Sequence, residues 1–103
     1  MAFPKGRIMR INTAQRKSIL QATRRSFGLD AKVWLFGSRV DDARRGGDLD
    51  LYVETTRSYP LSTELLCKIS IEESLDLHVD LVVNDHRSSK PIFKIAISTG
   101  IRL

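Results

Sequence analysis

The chain has 103 residues, of which 42% are hydrophobic, so it can build one small core and is not globally disordered. No apolar run approaches the roughly 20 residues of a membrane span, and Met1 to Arg10 lacks an apolar secretory region. Cys67 is the only cysteine, which excludes an internal disulfide and fits a reducing cytoplasm, and the net charge of +5 favours anionic partners.

In chain order, residues 1–11 read as a basic N-terminal arm and 12–103 as a single domain. Asn12 with Gln15 three positions on resembles a capping box, and it starts a helix ending at Phe27, before Gly28. Ile19, Leu20, Thr23 and Phe27 form its inner face, while Arg16, Lys17, Arg24 and Arg25 form a mostly solvated one. Lys32–Phe36 is a first strand with Trp34 in the core, and Asp48–Glu54 is a second. Pro60 suits the first turn of a second helix reaching Leu75, with Leu61, Leu65 and Ile69 facing the sheet. Cys67 is a small packing residue on that helix. Leu77–Val83 is a third strand, 85–90 a polar loop with His86 exposed, and Pro91 starts a last helix that Gly100 ends. The first two strands, joined by a loop, are expected antiparallel. The second and third, joined through a helix, are expected parallel. The result is an α/β (α+β) domain with a small mixed sheet flanked by helices.

The chemistry concentrates between the first two strands. Gly37-Ser38 closes an apolar strand, and Asp48-Leu49-Asp50 opens the next. Period-two alternation puts Asp48 and Asp50 on one face and Leu49 and Leu51 on the other. Like charges side by side are costly unless a cation lies between them, and magnesium favours carboxylate oxygens. Gly37 lets the backbone approach a phosphate, and Ser38 offers a hydroxyl and an N–H. Most isolated Asp-x-Asp pairs are solvated turns or strand ends. A third carboxylate sharpens the pattern here: Asp80 shares a face with His78 and Val82 on the third strand. An Asp inside a strand buried on both sides is expensive unless paired or metal-bound. If that strand neighbours the second, Asp48, Asp50 and Asp80 converge. Arg39, Arg44 and Arg45 in the motif loop are placed for triphosphate contact, and Tyr52 on the Asp face for lining a nucleotide pocket. His78 faces the acidic side of its strand, within reach of the site, but reads as a hydrogen-bonded structural histidine rather than a site residue, and Asp41 and Asp42 read as solvated charges.

With these residues in place, the chain resembles the minimal nucleotidyltransferase (MNT) family of the DNA-polymerase-beta-like superfamily. The likeness rests on Gly37-Ser38, the nine-residue spacer Arg39 to Gly47, Asp48-Leu49-Asp50, the later Asp80 and the closing Ile97-Ser98-Thr99-Gly100-Ile101-Arg102-Leu103. Gly47 departs from the pattern, since the family often has Ser before its first Asp. The resemblance implies the polymerase-beta-like nucleotidyltransferase fold, ATP as substrate and two magnesium ions held by Asp48, Asp50 and Asp80. Asp48 and Asp50 would hold both ions, and Asp80 only the ion that activates the incoming hydroxyl. Gly37, Ser38 and Arg39 would bind the nucleotide.

Members of this kind are often paired with a small all-helical HEPN ribonuclease toxin. The implied activity is that of an antitoxin, in a pair of the type VII kind, that transfers AMP from ATP to a tyrosine of that partner. Two alternatives stand beside it. A transferase acting on an RNA end would use the basic helix as its track, but only 7% of residues are aromatic, too few for an aromatic-interleaved nucleic-acid surface. A non-catalytic antitoxin acting by binding alone would leave the acidic cluster unused. No membrane partner is expected.

Overall fold

A computed structural model describes residues 11–37 and 48–103, with the Asp48 side chain outside that description. The elements run α1 (Thr13–Phe27), β1 (Lys32–Phe36), β2 (Asp48–Glu54), α2 (Leu61–Leu75), β3 (His78–Asn84), α3 (Pro91–Thr99) and β4 (Ile101–Arg102). The four strands form one mixed sheet in the order β3-β2-β1-β4. β1 pairs antiparallel with both β2 and β4, and β2 pairs parallel with β3. The parallel pairing follows from the α2 crossover, because two strands joined through a helix can run in the same direction.

The capping box at the start of α1 is formed. Asn12 Oδ1 accepts from the Gln15 N–H at 2.8 Å, and the Asn12 N–H donates to Gln15 Oε1 at 2.9 Å. Gly28, with φ at 91°, ends the helix in a conformation that side chains disfavour. Ile11, assigned by sequence to the arm, is buried in the core; residues 1–10 lie outside the described residues.

The pleat of β2 sorts its residues cleanly. Leu49, Leu51 and Val53 are fully buried on the helix-covered face with Val33, Leu35 and Val79. Burying each such side chain contributes about 1.5–3 kcal/mol. Ile19, Phe27, Cys67 and Ile71 of α1 and α2 close that core. On the opposite face a smaller cluster forms where Phe93 and Ala96 of α3 cover Phe36 and Tyr52. Trp34 joins its margin, half-buried, with the Arg102 guanidinium 5.2 Å from its ring centre.

Three expectations need correction. Leu61, Leu65 and Ile69 of α2 do not face the sheet; they are 67%, 48% and 46% exposed, while Cys67 and Ile71 make the buried contact. Apolar residues occur on more than one side of this helix, so spacing alone could not identify the inner side. The chain end is not simply a helix, because Ile101–Arg102 adds a short fourth strand beside β1. Finally, β3 is an edge strand rather than one buried on both sides, and Asp80 is exposed.

Candidate active site

Register does most of the placement. In the β2–β3 pair Asp48 stands opposite His78, and Asp50 opposite Asp80. Neighbouring strands lie about 4.8 Å apart, so the Asp50 and Asp80 carboxylates leave the same face of adjacent strands. Asp50 is half-buried on a central strand, and Asp80 is exposed at the sheet edge.

Gly37 completes this arrangement from the end of β1. Phe36 pairs with Asp50, so the residue after it turns directly over that carboxylate. Gly37 has φ at 75°, and a Cβ added there would collide with Asp50 Oδ2 and sit 3.0 Å from its Cγ. Both the backbone conformation and the close approach require glycine. Ser38, Arg39, Arg44 and Arg45, as well as Asp41 and Asp42, lie outside the described residues.

His78 is better placed than the sequence indicated, and it brings in a residue that sequence reasoning missed. Its Nε2 lies 3.5 Å from Asp80 Oδ1, and its Nδ1 3.2 Å from Glu72 Oε2. Glu72, from the last turn of α2, also accepts the Val79 N–H at 2.9 Å and faces Lys68 at 3.6 Å. The Val79 N–H holds the Glu72 carboxyl below its ordinary pKa, with smaller contributions from Lys68 and His78 and an opposing one from desolvation. A Glu–His–Asp chain thus runs from α2 to the Asp80 carboxylate. Nothing in the local sequence announces Glu72, since it reaches β3 only through the packing of α2 on that strand.

Further along the same face the polar residues satisfy one another. The Tyr52 hydroxyl donates to Glu54 Oε2 at 2.9 Å and accepts from Asn84 Nδ2 at 2.9 Å. Tyr52 is fully buried, and burial is the main reason its phenol pKa is raised, so it stays protonated as a donor. It lies under Phe93, the ring centres 5.6 Å apart, and borders a groove rather than standing open in one. Cys67 is buried, which raises its thiol pKa, as befits a packing residue. His86 is exposed, with φ at 67°. A separate polar cleft of about 400 Å3 lies near the far end of β3, lined by Tyr59, Glu64, Asp85 and Arg87 among others. There burial, and next the nearby Asp85 charge, raise the Glu64 pKa.

The structure therefore brings together Gly37, Asp50 and Asp80, with the backbone of Asp48 one pleat away. Among the described residues no group of three metal-binding side chains occurs. The donors present are carboxylate oxygens under a glycine backbone, chemistry that suits a hard cation and a phosphate.

The polymerase beta nucleotidyltransferase family model matches residues 28–103, and the chain belongs to that family. No curated protein matches it. Several solved structures share the fold. A protein from Shewanella oneidensis is 16% identical with a TM-score of 0.69, covering 90% of this chain and 71% of that one. A chain of the tri-AMPylated Shewanella oneidensis HEPN toxin in complex with MNT antitoxin is 19% identical, with a TM-score of 0.68 over 89% of this chain and 71% of that one. A chain of a variant MntA–HpeT toxin–antitoxin structure is 21% identical, with a TM-score of 0.66 over 85% and 69% of the two chains.

Proposed function

We propose that the chain is a magnesium-dependent nucleotidyltransferase that transfers AMP from ATP to a tyrosine of an all-helical HEPN partner. The observation that carries this reading is the alignment of Asp50 with Asp80 beneath the backbone of Gly37. Asp48, Asp50 and Asp80 would hold two magnesium ions, which when bound stabilise the attacking and leaving oxygens of an in-line displacement. Gly37 and Ser38 hold the triphosphate through backbone N–H groups and a hydroxyl, and Arg39 neutralises its charge. Asp80 accepts the proton of the tyrosine hydroxyl, and His78 fixes the orientation of that carboxylate. A bond forms between the tyrosine oxygen and the α-phosphorus, the α–β bridging bond breaks, and pyrophosphate leaves. The exposed, edge position of Asp80 gives a folded acceptor access to it.

A solved structure with a chain that matches this one holds an AMPylated HEPN toxin in complex with MNT antitoxin, which supports the choice of acceptor. The exposed Leu61, Leu65, Leu66 and Ile69 on α2 offer an apolar surface for contact with such a partner. The test combines the purified chain, ATP, magnesium and the helical partner, read by intact mass. The expected result is addition of AMP to a partner tyrosine, absent with Asp50→Asn. Labelling of an RNA end instead, or inhibition of the partner's ribonuclease by Asp50→Asn as effectively as by the wild type, overturns the reading.

A further inference from the structure

On the face that carries Asp50 and Asp80, a groove of about 280 Å3 lies between the end of β3 and the side of α3. Tyr52, Glu54 and Asn84 line its sheet side, and Lys90, Lys94 and Ile97 its helix side. Lys94 and Ile97 lie three apart on one face of α3, and Lys90 is the residue at its N-cap. The helix spans the distance to the carboxylates. It begins at Pro91, past the end of β3, and its C-cap Gly100 packs against Leu35 and Phe36, the latter paired with Asp50. From Asp50 to Glu54 the strand advances four residues, roughly 13 Å at about 3.3 Å per residue. Tyr52, midway along that span, is sealed under Phe93, so a nucleotide held by its phosphates at the Asp50 end would run its sugar along the β3 side of α3, past the half-buried Val82, to set its base in the groove.

The hydrogen bonds in the groove leave a defined remainder. Tyr52 and Asn84 are committed to each other, Tyr52 also to Glu54 and Asn84 also to the His86 N–H. Glu54 receives only the Tyr52 hydroxyl among the described residues, on Oε2, so Oε1 remains an acceptor. Lys94 is exposed and has no ion pair among the described residues. A carboxylate acceptor and an ammonium donor complement the edge shared by adenine and cytosine, an exocyclic amine beside an acceptor ring nitrogen. Guanine and uracil present a carbonyl oxygen and a ring N–H in those places. The carbonyl would meet a carboxylate and the N–H an ammonium.

We propose that this groove seats the base of the bound nucleotide, and that Glu54 and Lys94 select a base bearing that amino edge. The assignment rests on the nucleotidyltransferase site proposed above and adds to it a determinant of base choice. The test is calorimetry in magnesium with ATP, CTP, GTP, UTP and inorganic tripolyphosphate, on the wild type, Glu54→Gln and Lys94→Ala. Lys94 is exposed, so its loss spares the fold, and a glutamine in place of Glu54 keeps an amide oxygen as acceptor for the Tyr52 hydroxyl.

The wild type should bind ATP and CTP about tenfold more tightly than GTP and UTP, equivalent to about 1.4 kcal/mol. Either variant should bring the four nucleotides within about threefold of one another while tripolyphosphate affinity stays unchanged. GTP or UTP binding as tightly as ATP to the wild type overturns the base seat, as do variants that keep the full preference. Base-selective ATP binding without tripolyphosphate binding would overturn the phosphate site and leave the base seat standing. Absence of all binding overturns both.

Discussion

The two ends of the β2–β3 ribbon are built by the same pleat and register yet do opposite things with polar side chains. At one end Asp50 faces Asp80, two groups of like charge under a glycine. At the other end, two residues on, Tyr52, Glu54 and Asn84 form donor–acceptor pairs at 2.9 Å. The second arrangement satisfies itself and favours folding. The first gathers two carboxylates on one face of adjacent strands, an arrangement that favours a bound cation, which is how a binding site differs from a core polar network.

The comparison is broken most severely by removing a carboxylate. Asp50→Asn should lower transfer by at least about 10³-fold, the equivalent of roughly 4 kcal/mol of lost transition-state stabilisation. Its melting temperature in chelator should equal or exceed that of the wild type, because one of two like charges paired across adjacent strands is removed. A clear drop in melting temperature would make this end structural, like the other.

Gly37→Ala attacks the same end through the backbone. The added Cβ displaces the Asp50 carboxylate, and a left-handed conformation costs a side chain about 1–2 kcal/mol. Magnesium–ATP affinity, read by calorimetry, should fall at least about tenfold. At the far end Tyr52→Phe should instead cost stability, about 1–3 kcal/mol, since Glu54 and Asn84 lose their shared partner. Chemical denaturation would detect it, and an unchanged midpoint would deny the network a structural role.

The smallest expected effect concerns Glu72. Its folded-state pKa lies below the ordinary 4.5, so the charged form is the one favoured by folding. The stability this adds is fully present above that ordinary value and is lost as pH falls through the depressed one. Melting curves of the wild type and Glu72→Gln should therefore differ near neutral pH and converge in acid. A gap that persists in acid would point to packing rather than charge.

Much of this was legible from the chain. The bounds of β1 and β2, the antiparallel and parallel pairings and the placing of Asp80 beside Asp50 follow from alternation and from the helix between β2 and β3. The orientation of α2 did not follow. Cys67 packs inward toward α1, near Ser26, whereas leucines at equally good helical spacing stay outside. Which side is covered depends on α1, a neighbour that local periodicity cannot see. β4 is two residues long, too short for any alternating pattern. The link from Glu72 through His78 to Asp80 was hidden because it joins a helix to a strand edge by tertiary contact alone. The roles of Ser38 and Arg39 stay proposals, since neither lies among the described residues.

The register that aligns Asp50 with Asp80 also makes the centre intolerant of slippage. Side chains on a strand alternate with a period of two, so sliding β3 by one residue would set Val79 or Leu81 against Asp50 and turn Asp80 to the other side. A single-residue deletion near the start of β3 would thus act as a digital fault. The sheet could still zip up with its full complement of ladder bonds, but the acidic pair would be divided between opposite faces. Length changes in the segment 56–58 lie beyond the Thr55 N–H to Asn84 O bond that closes the ladder, leave the pairing frame itself untouched and should be the more forgiving place to edit the chain.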